Sequence, residues 1–236
     1  MNDARTDELR RNLAAVRERI DAAARAARRV ENQVRLLPVT KFHPAEDLAR
    51  LLDLGVTDVA ENREQEARGK AADVPGIRIH MIGQIQSKKA NSVARWAAGV
   101  QSLDSVALAH GLDRGMALAL ERGDRTSEVL PCHLQLSADG DPERGGVTED
   151  DLDELADVVE AAEHLHLAGL MVVPPLDSRP ADVFARAREL CEHLEERFGR
   201  RMELSAGMSG DLEQAVAAGS DIVRVGTDVL GSRPVP

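Results

Sequence analysis

The sequence predicts an α/β protein: a single eightfold (β/α)8 barrel of TIM type with one extra N-terminal helix. Three observations carry that prediction. Short apolar runs alternate strictly with longer helical patterns from end to end, and parallel strands need such helical crossovers. The chain has 236 residues, close to the roughly 250 that such a barrel takes. No linker or low-complexity tract interrupts it, so residues 1–236 are read as one domain. An open doubly wound sheet is the alternative, but so many units in so short a chain fit a closed barrel better.

The first element is a helix. Leu9, Leu13, Val16 and Ile20 recur at helical spacing, so 6–31 is expected to be one amphipathic helix, with 1–32 packed on the barrel. Its alternative use is as an exposed helix for a partner. The apolar, β-prone runs that follow are 34–40 (VRLLPVT), 57–60 (TDVA), 77–82 (IRIHMI), 99–103 (GVQSL) and 129–137 (VLPCHLQLS). The remaining strands are expected at 166–173, 202–205 and 221–225. Helical patterns lie between them near 44–54, 62–73, 85–97, 105–122, 149–163, 180–198 and 211–218, with a last turn at 227–231. The longest irregular stretch, "SADGDPERGGV" at 137–147, follows the fifth strand. In a barrel it lies on the C-terminal face, where active sites are built.

Composition removes several functions. A formal charge of −11 argues against a nucleic-acid surface, and 2% aromatic residues leave no platform for stacking bases. No apolar run is long enough to span a membrane, and "MNDARTDELRRNLAAVRERI" lacks an apolar signal core, so a cytoplasmic protein is expected. Cys132 and Cys191 form no CxxC and no metal-ligand spacing, and read as small buried hydrophobes.

Strand-end residues carry the chemistry of a barrel, and Lys41 stands at the first strand end. The chain spends four lysines (Lys41, Lys70, Lys88, Lys89) against 26 arginines. A lysine in that place is either a Schiff-base nucleophile or a solvated charge paired with Glu61 or Asp47. Two further segments weigh on the choice. "SAGMSGD" (205–211) and "RVGTD" (224–228) are small, glycine-containing turns between a strand and a helix, with Ser209 as an N-cap candidate. Free backbone N–H groups in such turns bind phosphate, and barrels often place phosphate after strands seven and eight. A phosphorylated ligand bearing a carbonyl satisfies all three features, and pyridoxal 5′-phosphate (PLP) is the obvious one.

The ordered set "PVTK", "AENREQE", "RIHMIGQIQSKK", "GLMVVPP", "LSAGMSGDLEQAVAAGS" and "VRVGTDVLG" resembles the pyridoxal-phosphate homeostasis proteins, also called the proline synthetase co-transcribed family. The resemblance runs from about residue 6 to 231. It implies a barrel similar to the N-terminal domain of alanine racemases, with PLP as an imine on Lys41. It implies a carrier or buffer role in intracellular PLP homeostasis, without established catalysis. By position, Asn62 would sit beside the cofactor ring with His80 close to the same pocket. Ser205, Met208, Ser209, Gly226 and Thr227 would hold the phosphate, and Arg224 would face the pyridine nitrogen. A monomer is the family expectation, with PLP and apo PLP-dependent enzymes as partners. The sequence departs from the family pattern at Arg63, where tyrosine is common, at Ala206, where methionine is usual, and in the loop around Arg144-Gly145.

Residue chemistry bears separately on enzyme against carrier. An arginine keeps its proton, so a pyridine nitrogen facing Arg224 stays unprotonated and the ring is a poor electron sink. Racemases with an arginine there use a lysine and a tyrosine as two bases, and this chain has 0 tyrosines. It ends near the last strand, so the second, β domain of alanine racemases is not expected. The alternative enzyme is a racemase-like PLP protein with His80 or Cys132 as second base. A sugar-phosphate enzyme using Glu61 and His80 is a further alternative. Lys88 and Lys89 read as a solvated helix start.

Overall fold

The protein is described here from a computed structural model covering residues 4–30, 33–141 and 144–232. Residues 31 and 32 of the expected N-terminal helical segment and 142–143 of the loop 137–147 lie outside the described residues.

Eight parallel strands form a nearly closed barrel: β1 (Arg35–Pro38), β2 (Asp58–Glu61), β3 (Arg78–Met81), β4 (Gly99–Leu103), β5 (Leu130–Leu136), β6 (Leu165–Val172), β7 (Glu203–Ser205) and β8 (Ile222–Val225). Their hydrogen-bonded order is β1-β8-β7-β6-β5-β4-β3-β2. Among the described residues, β1 and β2 meet through one parallel bridge, Val39 to Ala60, and the bond from Thr40 N–H to Ala60 O (2.9 Å). That is the seam of the barrel. Strands β1, β3, β5, β7 and β8 are shorter than their apolar runs because the chain leaves the ladder once it must turn toward a helix.

Helices α1 (Ala4–Ala26), α2 (Ala45–Asp53), α3 (Glu64–Asp73), α4 (Ala90–Trp96), α5 (Val106–Glu121), α6 (Leu152–Glu160), α7 (Pro180–Phe198), α8 (Leu212–Ala217) and α9 (Thr227–Leu230) complete the fold. The boundaries of α7 follow from its sequence. Pro180 opens it, where a missing N–H is harmless, and Gly199 closes it in the left-handed conformation (φ 67°) with its N–H on Glu195 O.

α1 buries Leu9, Leu13, Val16, Ile20, Ala23 and Ala24, the stripe its periodicity predicts. That stripe packs against α8 and α9, and Arg19 adds ion pairs to Asp228 (2.6 Å) and Glu213 (2.9 Å). The helix stops at Ala26, short of the predicted 31, because Arg28 turns left-handed (φ 56°) and Arg29 N–H reaches back to Ala24 O.

Two imidazoles are buried, His43 (6% exposed) and His133 (5%), and burial lowers the pKa of both. In the unfolded chain each returns to about 6.5 and takes a proton there, which the folded chain resists. Stability is therefore complete above that value and falls as pH drops below it, because the unfolded chain binds more protons. A thermal-unfolding series against pH should show this decline, and His133→Asn should flatten part of it.

Candidate functional site

The strand order sets the site. β7, β8 and β1 are neighbours, so the turns after them and the chain at Lys41 emerge side by side on the C-terminal face. Gly226 lies against Val39: a Cβ on the glycine would stand 3.4 Å from Val39 O. The turn after β8 therefore touches the segment that delivers Lys41.

A buried ionic cluster holds the residues on both sides of Lys41. The Lys70 ammonium, on α3, donates to Thr40 O (2.9 Å), Glu61 Oε1 (2.5 Å) and Glu66 Oε1 (2.7 Å). Three donors meet three acceptors, which is the capacity of an ammonium. The Thr40 hydroxyl donates to the same Glu61 oxygen (2.6 Å), and the Phe42 N–H donates to Glu66 Oε1 (2.7 Å). Phe42 adopts φ 70°, a costly conformation for a bulky L-residue, so something must impose it. The Glu66 bond does so, and the Arg63 guanidinium lies 5.6 Å from the Phe42 ring centre. Glu61 is fully buried and its Oε2 has no hydrogen-bond partner. Burial raises its carboxyl above the ordinary value, while Lys70 and Thr40 pull it down.

The glycine turns after β7 and β8 are built as their glycines suggest. Gly207 sits at φ 94° with Ala215 too close to admit a side chain. The Met208 N–H is taken by Asp211 Oδ1 (2.6 Å), and its side chain is exposed (39%). The N–H groups of Ser209, Gly210 and Thr227 take part in none of the hydrogen bonds that shape these turns.

Ser205 and Arg224 face the barrel lumen. Arg224 is 3% exposed; its Nη1 donates to Ser205 Oγ (2.7 Å) and its Nη2 to Val172 O (2.9 Å). The Ser205 hydroxyl in turn donates to Gln101 Oε1 (2.8 Å). Burial brings the Arg224 guanidinium down to about 10, so it keeps its proton at neutral pH.

Asn62 lines a second part of the same face, a cavity of about 250 Å³ with Gly83, Gln84, Gln135, Ser137 and Arg144. Arg144 ties loop 137–147 to the strand-six turn through Val173 O (3.0 Å) and pairs with Asp139 (2.7 Å). Gly83 is there for backbone approach, since a Cβ would stand 2.2 Å from Asn62 O. Gly83→Ala should push Asn62 out of place and cost about 1–3 kcal/mol of stability, read as a lower urea midpoint at unchanged m.

His80 does not join these residues, which corrects the expectation drawn from the resemblance. It pairs in register with Gly99, the first residue of β4, and its Nε2 is 2.8 Å from Asp58 Oδ1. It therefore lines a cavity at the N-terminal end of the barrel. Cys132 is fully buried in the core and its thiol is pushed up to about 12. Sequence reasoning also missed Lys70, Glu66, Thr40 and Gln101. The rarity of lysine and the i,i+4 spacing of Glu66 and Lys70 were the available signals.

Comparison with known proteins agrees with this architecture. The family model for the N-terminal domain of alanine racemase matches residues 8–234. Two alanine racemase structures show the same fold, including one from Clostridium difficile at TM-score 0.70 and 17% identity, over 97% of this chain and 58% of that one. A pyridoxal phosphate homeostasis protein of Corynebacterium glutamicum is 58% identical over 92% of this chain and 98% of its own length. The Escherichia coli protein of that name is 33% identical over 96% and 97%. PipY of Synechococcus elongatus, solved with PLP bound, gives TM-score 0.80 at 31% identity over 94% of this chain and 100% of its own. The chain belongs to the pyridoxal phosphate homeostasis protein family. Among the described residues no helix is long and apolar enough to cross a membrane, and no group of three or more His, Cys, Asp or Glu could hold a metal ion.

Proposed function

We propose that this protein holds PLP as an imine on Lys41 and serves as a non-catalytic carrier or buffer of the cofactor in the cytoplasm. The observation that carries this reading is the adjacency of β7, β8 and β1, which groups a strand-end lysine with two glycine turns and a buried arginine. The donor set fits the cofactor. A primary amine suits the aldehyde, uncommitted N–H groups at Ser209, Gly210 and Thr227 suit the phosphate, and the Arg224 guanidinium suits the pyridine nitrogen. Met208 contributes to that turn through its shape, since its N–H is engaged, and Ser205 acts through its bond to Arg224. Gly226 lets the β8 turn approach the Lys41 segment, and Asn62 flanks the ring.

When bound, PLP supplies an electron sink, and the residues around it decide how far that sink is used. Arg224 donates and keeps its proton, which withholds protonation from the ring nitrogen. Neither tyrosine, Cys132 nor His80 supplies a second base opposite Lys41: the chain has 0 tyrosines, Cys132 is buried in the core, and His80 stands at the other end. These features favour storage and release over racemisation, with apo PLP-dependent enzymes as recipients and a monomer as the working unit.

The test is an absorbance spectrum of the purified protein before and after borohydride, followed by peptide mapping. The reading predicts a visible band lost on reduction and a phosphopyridoxyl mass on the Lys41 peptide. A colourless protein that takes up no added PLP would overturn it. Incubation with amino acids in heavy water should show no exchange at Cα.

A further inference from the structure

A second cavity, of about 520 Å³, opens at the opposite end of the barrel, between α1 and the N-terminal ends of the strands. The proposed function uses none of it. Its volume falls within the roughly 300–1,000 Å³ of small-molecule sites. Ile20, Leu37, Pro131 and Ile222 supply apolar wall.

Most of its charges are already satisfied, in two matched sets. Asp58 Oδ1 takes both Arg78 Nε (3.2 Å) and His80 Nε2 (2.8 Å). Glu203 Oε2 takes Arg35 Nη2 (2.6 Å) and lies 3.4 Å from His133 Nε2, an approach too poorly aligned for a hydrogen bond. His133 thus lines the cavity, almost wholly buried, with a nitrogen that has no hydrogen-bond partner. Gln101 lines it as well. Its Oε1 is committed to Ser205, which leaves the amide NH2 as a donor on the cavity side.

Two opposite charges at the mouth are left over. Arg17 and Asp21 both line the cavity, and neither makes an ion pair or hydrogen bond among the described residues. They lie one turn apart on α1, with the cation on the N-terminal side, the weaker order for a helical pair. An unpaired cation and anion at one opening match a ligand that carries both charges on adjacent atoms. Buried donors at the inner end match a side chain that ends in an oxygen.

We infer that this cavity binds a free α-amino acid as its zwitterion, with the carboxylate at Arg17, the ammonium at Asp21, and a neutral side chain ending in a carbonyl or hydroxyl reaching Gln101 and His133. The balanced lining charge disfavours a ligand with net charge, which would leave one of the mouth residues opposed.

The test is calorimetric titration of the full-length protein with L-glutamine, its deaminated analogue glutaramate, and L-leucine. Glutamine should bind, and Arg17→Ala and Asp21→Ala, both surface changes, should each weaken it roughly tenfold or more, as loss of a charged hydrogen bond implies. Leucine should bind more weakly, and Lys41→Ala should leave glutamine binding unchanged. Absence of any heat with glutamine would overturn the inference. So would equal binding of glutaramate with no effect of Asp21→Ala, which describes a plain anion site. Loss of the signal in Lys41→Ala would assign the amino acid to the other end of the barrel.

Discussion

Lys41→Ala is expected to abolish borohydride-fixed PLP and to weaken PLP binding at least tenfold, about 1.4 kcal/mol. The remaining affinity comes from the two glycine turns and Arg224, so binding persists without covalent attachment. Lys41 is partly exposed and outside the apolar core, so thermal stability should stay within about 0.5 kcal/mol of the parent. Lys41→Arg separates amine from charge: it keeps a cation at the strand end but offers no nucleophile. If the lysine is there for its amine, Lys41→Arg behaves like Lys41→Ala in the reduction assay. Fixed cofactor in either variant would have to sit on another lysine. Lys89 is a poor alternative, because it is paired with Glu64 at 3.2 Å. Peptide mapping of the reduced variants decides the matter.

Lys70→Met should be the most destabilising single change at this face. It leaves Glu61 fully buried and its charge uncompensated, which costs about 3–5 kcal/mol. For a chain of this size that corresponds to a fall in Tm of roughly 10 °C. Lys70→Arg should not restore the parent, since a planar fork cannot place three donors on Thr40 O, Glu61 and Glu66 around one nitrogen. Glu61→Gln combined with Lys70→Met removes both charges and should recover a large part of the loss. Uptake of PLP tells whether the cluster also aims Lys41. With the Lys70 donors to Thr40 O and Glu66 removed, the rate at which added PLP becomes reducible should fall even in the stabilised double variant. Unchanged uptake in that variant would limit the cluster to a stabilising role.

Local pattern made most of the fold legible. The runs at 34–40, 77–82 and 221–225 contain β1, β3 and β8 because period and β-branched content report strand formation directly. Where the reading erred, the missing information was tertiary. Residues 62–73 read as a helix, and nothing local shows that Lys70 crosses to the end of β1 and is buried there. His80 lies in a well-predicted strand, but its position along the barrel axis depends on register with Gly99, which no single strand encodes. The run 99–103 coincides with β4, but nothing in it shows that Gln101 is the residue that bonds Ser205 in the lumen. Alternation means that a shift of one residue exchanges the faces. The lysine at the first strand end was legible because the chain uses lysine so sparingly.

The single bridge between β1 and β2 has a mechanical meaning. The barrel is a split ring, and the Lys70–Glu61–Thr40 cluster is the latch across its gap. A split ring yields at the gap, so breathing should be greatest along the edge that carries Lys41 and Asn62. The Thr40 amide, bonded across the gap to Ala60, should exchange with solvent faster than the Val39 amide, bonded to Val225 in the continuous ladder. Anything that joins Lys41 on one lip to the turns of β7 and β8 stiffens that lip, so PLP should slow exchange at Thr40 more than at Val39. Loading and release would then be matters of hoop tension as well as affinity, with the ring loosest where the cargo is fastened.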